Sequence, residues 1–304
     1  MKTTCPLPCR SPGQRPGFLH VAAVGCVPWL LGLAVAVALP VQAQTTDPST
    51  APVNAEPTSP VALNYVLGAA SSWNPTYTGS DKHKSGLSPV LSLQYGRFRL
   101  SSSRGNAVLN HGYDNRTSGA SATLVEDDRF NLSAALGIDS GRSSSDDIRL
   151  LGLPEVRSTL LGRISAGYVF DDHWSVNTGL SQDLLGRAGG TQLGTSLRYM
   201  FDLTPRTRVG VGLGADFANS TYMRSHFGVS ASASATSPLP SFSAKGGLYS
   251  VDMSVDVMTT LSHRWVLFGS ANVSQLRGDA QRSPITQSAT NYGVSIGLAY
   301  RCCR

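Results

Sequence analysis

The sequence is poor in charged residues, in spaced cysteines and in long hydrophobic runs. Asp, Glu, Lys and Arg make up 14% of its 304 residues, whereas a typical soluble domain has ~25%. Three of the five cysteines lie at positions 5, 9 and 26, and the other two are the adjacent Cys302 and Cys303. This spacing excludes a disulfide scaffold. No Lys/Arg cluster with interleaved aromatics is present, so nothing indicates binding to nucleic acid.

The first 43 residues carry three bases and no acid, followed by an interrupted apolar run ending in Val41-Gln42-Ala43. The uninterrupted part, Trp29–Leu39, is too short to span a membrane, which takes ~20 apolar residues. We therefore predict a Sec-type signal peptide over 1–43. Residues 44–60 are rich in Pro, Thr, Ser and Ala and predict a flexible periplasmic leader. The folded domain is expected over 61–304.

From residue 61 onward the hydrophobic pattern has a period of two, which indicates β-strands. In "RVGVGLGADF" the residues Val209 to Phe217 alternate with three glycines and Asp216, and in "YSVDMSVDV" Tyr249 shares a face with Val251 and Met253. The second face carries Gly, Ser, Asn and Asp. That composition suits the watery interior of a barrel whose apolar face contacts lipid. Because backbone groups in lipid need internal partners, the sheet must close.

Short and long connections alternate along the chain, which predicts the number of strands. Five connections are short and polar, at 95–97, 126–128, 171–173, 202–208 and 262–264. Six are longer, at 74–86, 105–118, 140–155, 185–190, 220–246 and 277–290. Since single-chain bacterial barrels have an even number of antiparallel strands, we predict an all-β, up-and-down barrel of about twelve strands, with both termini in the periplasm. Barrels of ten or fourteen strands remain alternatives, and a soluble β-sandwich is the alternative fold.

Two sets of side chains are expected to have a role in such a barrel. Charged residues on the non-lipid face are candidates for lining the lumen, either as a selective pore or as a salt-bridged plug: Arg99, Asp139, Arg163, Asp183, Arg198, Asp216, Asp252 and Asp256. Aromatic residues near strand ends are candidates for the membrane-interface belt: Tyr95, Phe98, Phe170, Trp174, Tyr199, Phe201, Trp265, Tyr292 and Tyr300.

Motifs that suggest an enzyme have simpler explanations. "GVSIG" at 293–297 matches the G-x-S-x-G nucleophile elbow. That fold requires an acid and a His after the nucleophile, but no Asp, Glu or His follows Ser295. "GVGLGAD" at 210–216 has no predicted helix after it and is explained by strand alternation. The histidines show no paired ligand spacing. We expect no catalytic residue, no cofactor and no metal.

Several segments together resemble the MipA/OmpV family of outer-membrane proteins. They are "YTGSDKHKSGLSPVLSLQYGRFRLSSSRG" at 77–105, the stretch 222–286 with its F-G-V, L-R-G-D-A and S-P-I order, and the final Asn-Tyr-Gly and Gly-Leu-Ala-Tyr-Arg. The resemblance implies a barrel in the Gram-negative outer membrane. It also implies scaffolding of murein enzymes, a lytic transglycosylase and a penicillin-binding protein, while porin-like uptake of small solutes and adhesion through outer loops stay open.

The C-terminus departs from what such barrels usually have. Their last strand commonly ends on an aromatic residue two positions after a tyrosine such as Tyr300, and here Cys302 occupies that position. We predict that this tail weakens assembly of the barrel.

Overall fold

The computed structural model describes residues 63–102, 108 and 119–302. The predicted signal peptide and leader, His111 and Cys303 lie outside these ranges. The described residues form twelve strands: β1 Leu63–Pro75, β2 His83–Tyr95, β3 Phe98–Ser101, β4 Gly119–Glu126, β5 Phe130–Asp139, β6 Thr159–Val169, β7 Trp174–Asp183, β8 Thr191–Thr204, β9 Thr207–Ala218, β10 Gly247–Thr260, β11 Trp265–Leu276 and β12 Thr290–Cys302. Successive strands pair antiparallel, and β12 pairs with β1 to close the barrel. The predicted twelve-stranded barrel is confirmed.

The two faces of each strand differ as the alternating pattern predicts. In β12 the exposed Tyr292, Val294, Ile296 and Leu298 alternate with buried polar or small residues. Leu213 of β9 and Met253 of β10 are likewise exposed, at 56% and 50%. This surface is apolar because it faces lipid, and closure of the ladder satisfies the backbone hydrogen bonds that lipid leaves without partners.

Five short turns connect alternate strands at one end of the barrel, which in bacterial barrels is the periplasmic end. They span 96–97, 127–129, 170–173, 205–206 and 261–264. Gly96 adopts a φ of 56°, the left-handed conformation that a two-residue hairpin turn favours. The turn between β8 and β9 is much shorter than the predicted 202–208. Asp202 and Arg208 instead belong to the strands, where Arg208 Nε lies 2.8 Å from Asp202 Oδ1.

At the other end, β1 and β2 extend further than the predicted connection 74–86 allows. β1 runs to Pro75 and β2 begins at His83. The rings of Trp73 and His83 stack across the two strands with centroids 4.0 Å apart, and cross-strand stacking of this kind stabilises the added rungs. β3 is shorter than the alternation suggested, with four residues paired to β4.

The expected orientation of Tyr249 is wrong. A β-bulge between Leu248 and Ser250 shifts the register of β10 against β9. A bulge changes which face of the sheet a side chain occupies. Tyr249 therefore packs against Tyr222, with ring centroids 5.4 Å apart, instead of facing lipid with Val251.

The longer connections of the outer end carry the helices of the described chain: α1 Ser220–Phe227, α2 Ala231–Thr236, α3 Gly278–Arg282 and a 3-10 helix Ile148–Leu150. Two clusters of buried apolar side chains hold them together. One surrounds Met223 and Phe227, and the other joins Tyr77, Leu150 and Ile285 from three different connections. We call this assembly the outer cap. Within the described ranges, no helix is both long enough and apolar enough to cross a membrane.

Candidate functional site

An ion pair crosses the inward face of the barrel. Arg198 of β8 places Nη1 2.8 Å from Oδ2 of Asp256 on β10. The two side chains are 15% and 25% exposed, so water reaches them only in part. The strand between them, β9, presents Gly210 and Gly212 beneath the arginine. A Cβ at Gly210 would lie 3.2 Å from Arg198 Nη1, so the "GVGLGAD" glycines make room for this pair.

A second inward arginine also packs over a glycine of a neighbouring strand. Arg163 of β6 covers Gly179 of β7, where a Cβ would lie 2.8 Å from Arg163 Cζ. Ser165, two residues further along β6, contacts Ser133 of β5 with hydroxyl oxygens 2.9 Å apart. This part of the inner wall therefore combines guanidinium groups with small hydroxyl side chains.

The remaining candidate lumen residues divide into two groups. Arg99, Asp216 and Asp252 lie on the face opposite the exposed apolar residues of β3, β9 and β10. Arg99 Nη2 lies 3.4 Å from Gln94 Oε1. Among these candidates the bases lie on β3, β6 and β8, and the acids Asp216, Asp252 and Asp256 lie on the adjacent strands β9 and β10.

Asp139 and Asp183 lie at the outer ends of β5 and β7 and organise the connections that follow. Asp139 Oδ1 accepts a hydrogen bond from Gly141 N at 2.8 Å. Asp183 is 8% exposed and accepts from the backbone N–H groups of Leu185 and Gly189 and from the Thr159 hydroxyl. Their surroundings favour loop anchoring for these two residues over contact with a solute.

Sequence reasoning missed an apolar cluster inside the barrel. Val66, Val90, Val266 and Phe268 are 0–9% exposed and pack together with Ala70, Ala299 and Val108. The run "WVLF" at 265–268 signals this, because apolar residues on both faces of a strand produce a continuous run. The cluster occupies part of the inner wall formed by β1, β2, β11 and β12, beside inward polar residues of the same strands such as Ser270 and Ser295.

Polar contacts tie the outer cap to the barrel mouth. The Tyr77 hydroxyl donates to the carbonyl of Ile285 at 3.1 Å, and Arg142 Nη1 donates to the carbonyl of His226 at 2.7 Å. Burial raises the pKa of Tyr77 to about 12, with Asp147 also raising it. Lys82 Nζ lies 3.0 Å from Asp147 Oδ2. Connections that are distant in sequence are thus held together at one end of the barrel.

The candidate aromatic belt is concentrated at the periplasmic end. Eight of the nine residues lie close to short turns, and Trp174 packs on Tyr199, and Trp265 on Tyr300, with centroids 4.9 and 5.5 Å apart. Tyr292 instead lies near the outer end of β12, beside Trp73 and His83. Two aromatic groups at opposite ends are what a lipid-spanning band between two interfaces requires.

Ser295, the serine of "GVSIG", contacts a serine on the neighbouring strand. Ser295 Oγ lies 2.7 Å from Ser270 Oγ on β11, and β12 continues as a strand to Cys302. The strand–turn–helix geometry of a nucleophile elbow is therefore not formed by this segment. Gly297 lies under the ring of Phe268. No group of three His, Cys, Asp or Glu that could hold a metal occurs among residues 63–102, 108 and 119–302.

Acidic side chains gather on two adjacent periplasmic turns. The turn 127–129 and its flanking Glu126 lie beside the turn 170–173, since Val169 N donates to the carbonyl of Arg129 at 2.8 Å. The acids of this acidic arc are all exposed: Glu126, Asp127, Asp128, Asp171 and Asp172. Hydrogen bonds from the backbone N–H groups of Trp174 and His173 hold the pKa of Asp171 below its ordinary value. The arc therefore carries negative charge at neutral pH.

The closed barrel, the apolar outward face and the polarity of its two ends define an outer-membrane β-barrel protein. The family model of "MltA-interacting protein MipA" matches residues 67–302, and the chain belongs to this family. The chain is 24% identical to outer membrane protein Omp26La of Vibrio anguillarum over 64% of its length and 77% of that protein. It is also 24% identical to outer membrane protein OmpV of Vibrio cholerae, with the same coverage.

Solved structures of outer-membrane channels resemble the chain more distantly. The outer membrane channel from Pseudomonas putida F1 aligns with a TM-score of 0.42 and 14% identity, covering 84% of this chain and all of the other. The KdgM porin aligns with a TM-score of 0.37 and 10% identity, covering 77% of this chain and 98% of the porin.

Proposed function

We propose that this protein is a non-enzymatic outer-membrane barrel that holds a murein-remodelling enzyme at the periplasmic face of the membrane. The observation that carries the proposal is the family match, whose description names an interaction with MltA and which spans 67–302. The predicted lytic transglycosylase and penicillin-binding protein are the partners that we propose. The predicted signal peptide 1–43 and leader 44–60 support this proposal, because export would bring the chain to the compartment of these enzymes.

The acidic arc supplies the contact surface in this proposal. It extends over two neighbouring turns that project from the rigid end of a closed barrel. Charges at the rim of an interface mainly accelerate association and make it sensitive to salt. A partner with a basic surface is therefore favoured.

Binding of a purified MltA-type lytic transglycosylase to the detergent-solubilised full chain tests the proposal. We expect Asp128→Asn combined with Asp172→Asn to weaken binding about fivefold, the effect of removing two exposed charge pairs. Asp81→Asn with Glu155→Gln, which removes two acids at the outer end, is the matched control. Absence of binding to the unmodified barrel contradicts scaffolding. If the arc variant binds the transglycosylase as tightly as the unmodified barrel, the acidic arc is not the contact surface.

A channel is the second candidate function, favoured by the inward acids Asp216 and Asp252 on the adjacent strands β9 and β10. Acids that line a low-dielectric passage focus the electric field and raise the local concentration of cations. Planar-bilayer recording of the purified barrel tests this function. We expect Asp252→Asn to lower the preference for cations, while Ser274→Ala, an inward neutral change on β11, leaves it unaltered. A silent unmodified barrel contradicts conduction.

A further inference from the structure

The lipid-facing wall of the barrel contains a groove. Its lining on three neighbouring strands combines the outward Leu136 and Ile164 with four small residues: Ala120 and Ala122 of β4, Ala134 of β5 and Gly162 of β6. These residues are neighbours across the sheet, since Ala122 pairs directly with Ala134. The groove has a volume of about 570 Å³. Because large side chains such as Leu136 and Ile164 project outward beside them, the four small residues leave a depression.

Larger side chains form the sides of the groove. Phe98 borders it on one side, and Leu180 and Leu184 border it on the other. Leu184 folds over Gly162, where a Cβ would lie 3.1 Å from the leucine's Cδ1. The outer end of the groove therefore lies directly below the connection 184–190.

Two arginines lie at this outer end. Arg187 Nη1 donates to the carbonyl of Ser158 at 2.8 Å, which fixes its guanidinium at the top of β6. Arg157 is the residue before Ser158 and is exposed. Neither arginine has an ion-pair partner within the part of the chain that the structure describes.

Two nearby acids, Asp183 and Glu155, accept hydrogen bonds from neutral groups. The carboxylate of Asp183 is buried and accepts hydrogen bonds from Thr159, Leu185 and Gly189. Glu155 Oε1 accepts from the Ser143 hydroxyl at 3.2 Å. These carboxylates therefore make their described contacts with groups other than the guanidinium groups of Arg157 and Arg187.

We infer that this groove and the Arg157–Arg187 pair form a binding site for one anionic lipid of the outer leaflet. An acyl chain fills the depression and the two guanidinium groups bind the negative headgroup. Because lipid tails are as apolar as the leucines beside them, the groove provides shape, whereas the arginines provide the preference for charge. Guanidinium groups suit this role because they bind phosphate oxygens in a bidentate geometry.

Native mass spectrometry of the full-length folded barrel in detergent tests the site, with phosphatidylglycerol and phosphatidylcholine of identical chains as probes. We expect the unmodified barrel to retain phosphatidylglycerol preferentially. In the double variant Arg157→Gln with Arg187→Gln, the preference for phosphatidylglycerol over phosphatidylcholine should fall about 30-fold. This is the effect of losing the attraction of two arginine charges to an anionic headgroup. Arg97→Gln with Arg264→Gln, at the periplasmic turns, is the matched control and should keep the preference.

A second variant tests the groove independently of charge. Ala122→Phe fills the floor and should reduce retention of both lipids, whereas Ala271→Phe, on the outward face of β11, should not. Heat-modifiable mobility shows that each variant is folded. Equal retention of the two lipids by the unmodified barrel, or an arginine variant that behaves like its control, overturns the site. If inorganic phosphate displaces phosphatidylglycerol and Ala122→Phe has no effect on retention, the acyl chain does not bind in the groove.

Discussion

At the scale of single residues, inward glycines match large side chains on neighbouring strands. Gly179 accommodates Arg163, and Gly297 accommodates Phe268. The sequence predicts that these glycines face inward, since they alternate with apolar residues. It does not reveal which partner requires each of them, because that depends on the register between strands.

Replacing Gly297 with alanine should destabilise the barrel. The added Cβ would lie 2.8 Å from both Phe268 Cε2 and Ala69 O, and overpacking of this kind costs about 1–3 kcal/mol. Gly269→Ala is the matched control on the adjacent strand, since its nearest neighbour would be Ser295 O at 3.4 Å. The midpoint of urea unfolding in detergent measures both variants. Equal midpoints for the two would show that the ring of Phe268 moves aside freely.

At the scale of elements, alternation and turn chemistry predict the strands well and the departures from regular pairing poorly. The sequence places Val251 and Met253 on the lipid face, but the bulge before Ser250 moves Tyr249 to the inside. Tyr249 is then covered by Tyr222 and Phe227 of α1. A helix in a distant connection determines this orientation, and no local pattern in β10 encodes it.

The packing of α1 should depend on pH through His226. Its ring stacks on Tyr222 with centroids 4.1 Å apart. Burial lowers the pKa of His226, with Arg142 also lowering it, against raising contributions from a Tyr222 hydrogen bond and Asp139. The neutral ring is thus favoured in the folded cap. Its stabilising contribution is present above the ordinary pKa of about 6.5 and is lost as pH falls through the lowered value.

Hydrogen–deuterium exchange of α1 at pH 7.5 and 5, corrected for the intrinsic rate, measures this effect. We expect faster exchange in α1 at the lower pH and little change in α3. In His226→Gln the difference between the two pH values should disappear. An α1 that is equally protected at both pH values in the unmodified chain would rule out His226 as the responsive group.

At the scale of the whole molecule, the sequence predicts the closed barrel and its polarity but not its interior packing. Strand number follows from alternation between short and long connections. The apolar cluster around Val66 and Phe268, and the cap that joins Tyr77 to Ile285, bring together residues from opposite ends of the chain. Side chains gain such neighbours only when β12 meets β1, so these contacts depend on closure.

β12 meets β1 at the seam that closes the barrel, and Cys302 lies at one end of this seam. Cys302 pairs with Tyr65 on β1 as the final described rung and is disulfide-bonded. By alternation Cys302 shares the outward face with Tyr300. The ring centroids of Tyr300 and Tyr65 lie 6.4 Å apart. An aromatic at 302 would extend this group at the periplasmic interface, where such side chains are favoured. We therefore expect Cys302→Phe with residues 303 and 304 removed to raise the fraction of chain inserted in the outer membrane.

Heat-modifiable mobility of the outer-membrane fraction measures that gain. Cys302→Ser with the same truncation is the control, since it removes the thiol without adding a ring. A Phe variant that inserts no better than the unmodified chain makes the prediction wrong. Equal gains for Phe and Ser would instead attribute the defect to cysteine chemistry at the seam. A gain confined to Phe would show that the missing aromatic limits assembly, because both variants lose the same disulfide and the same two residues.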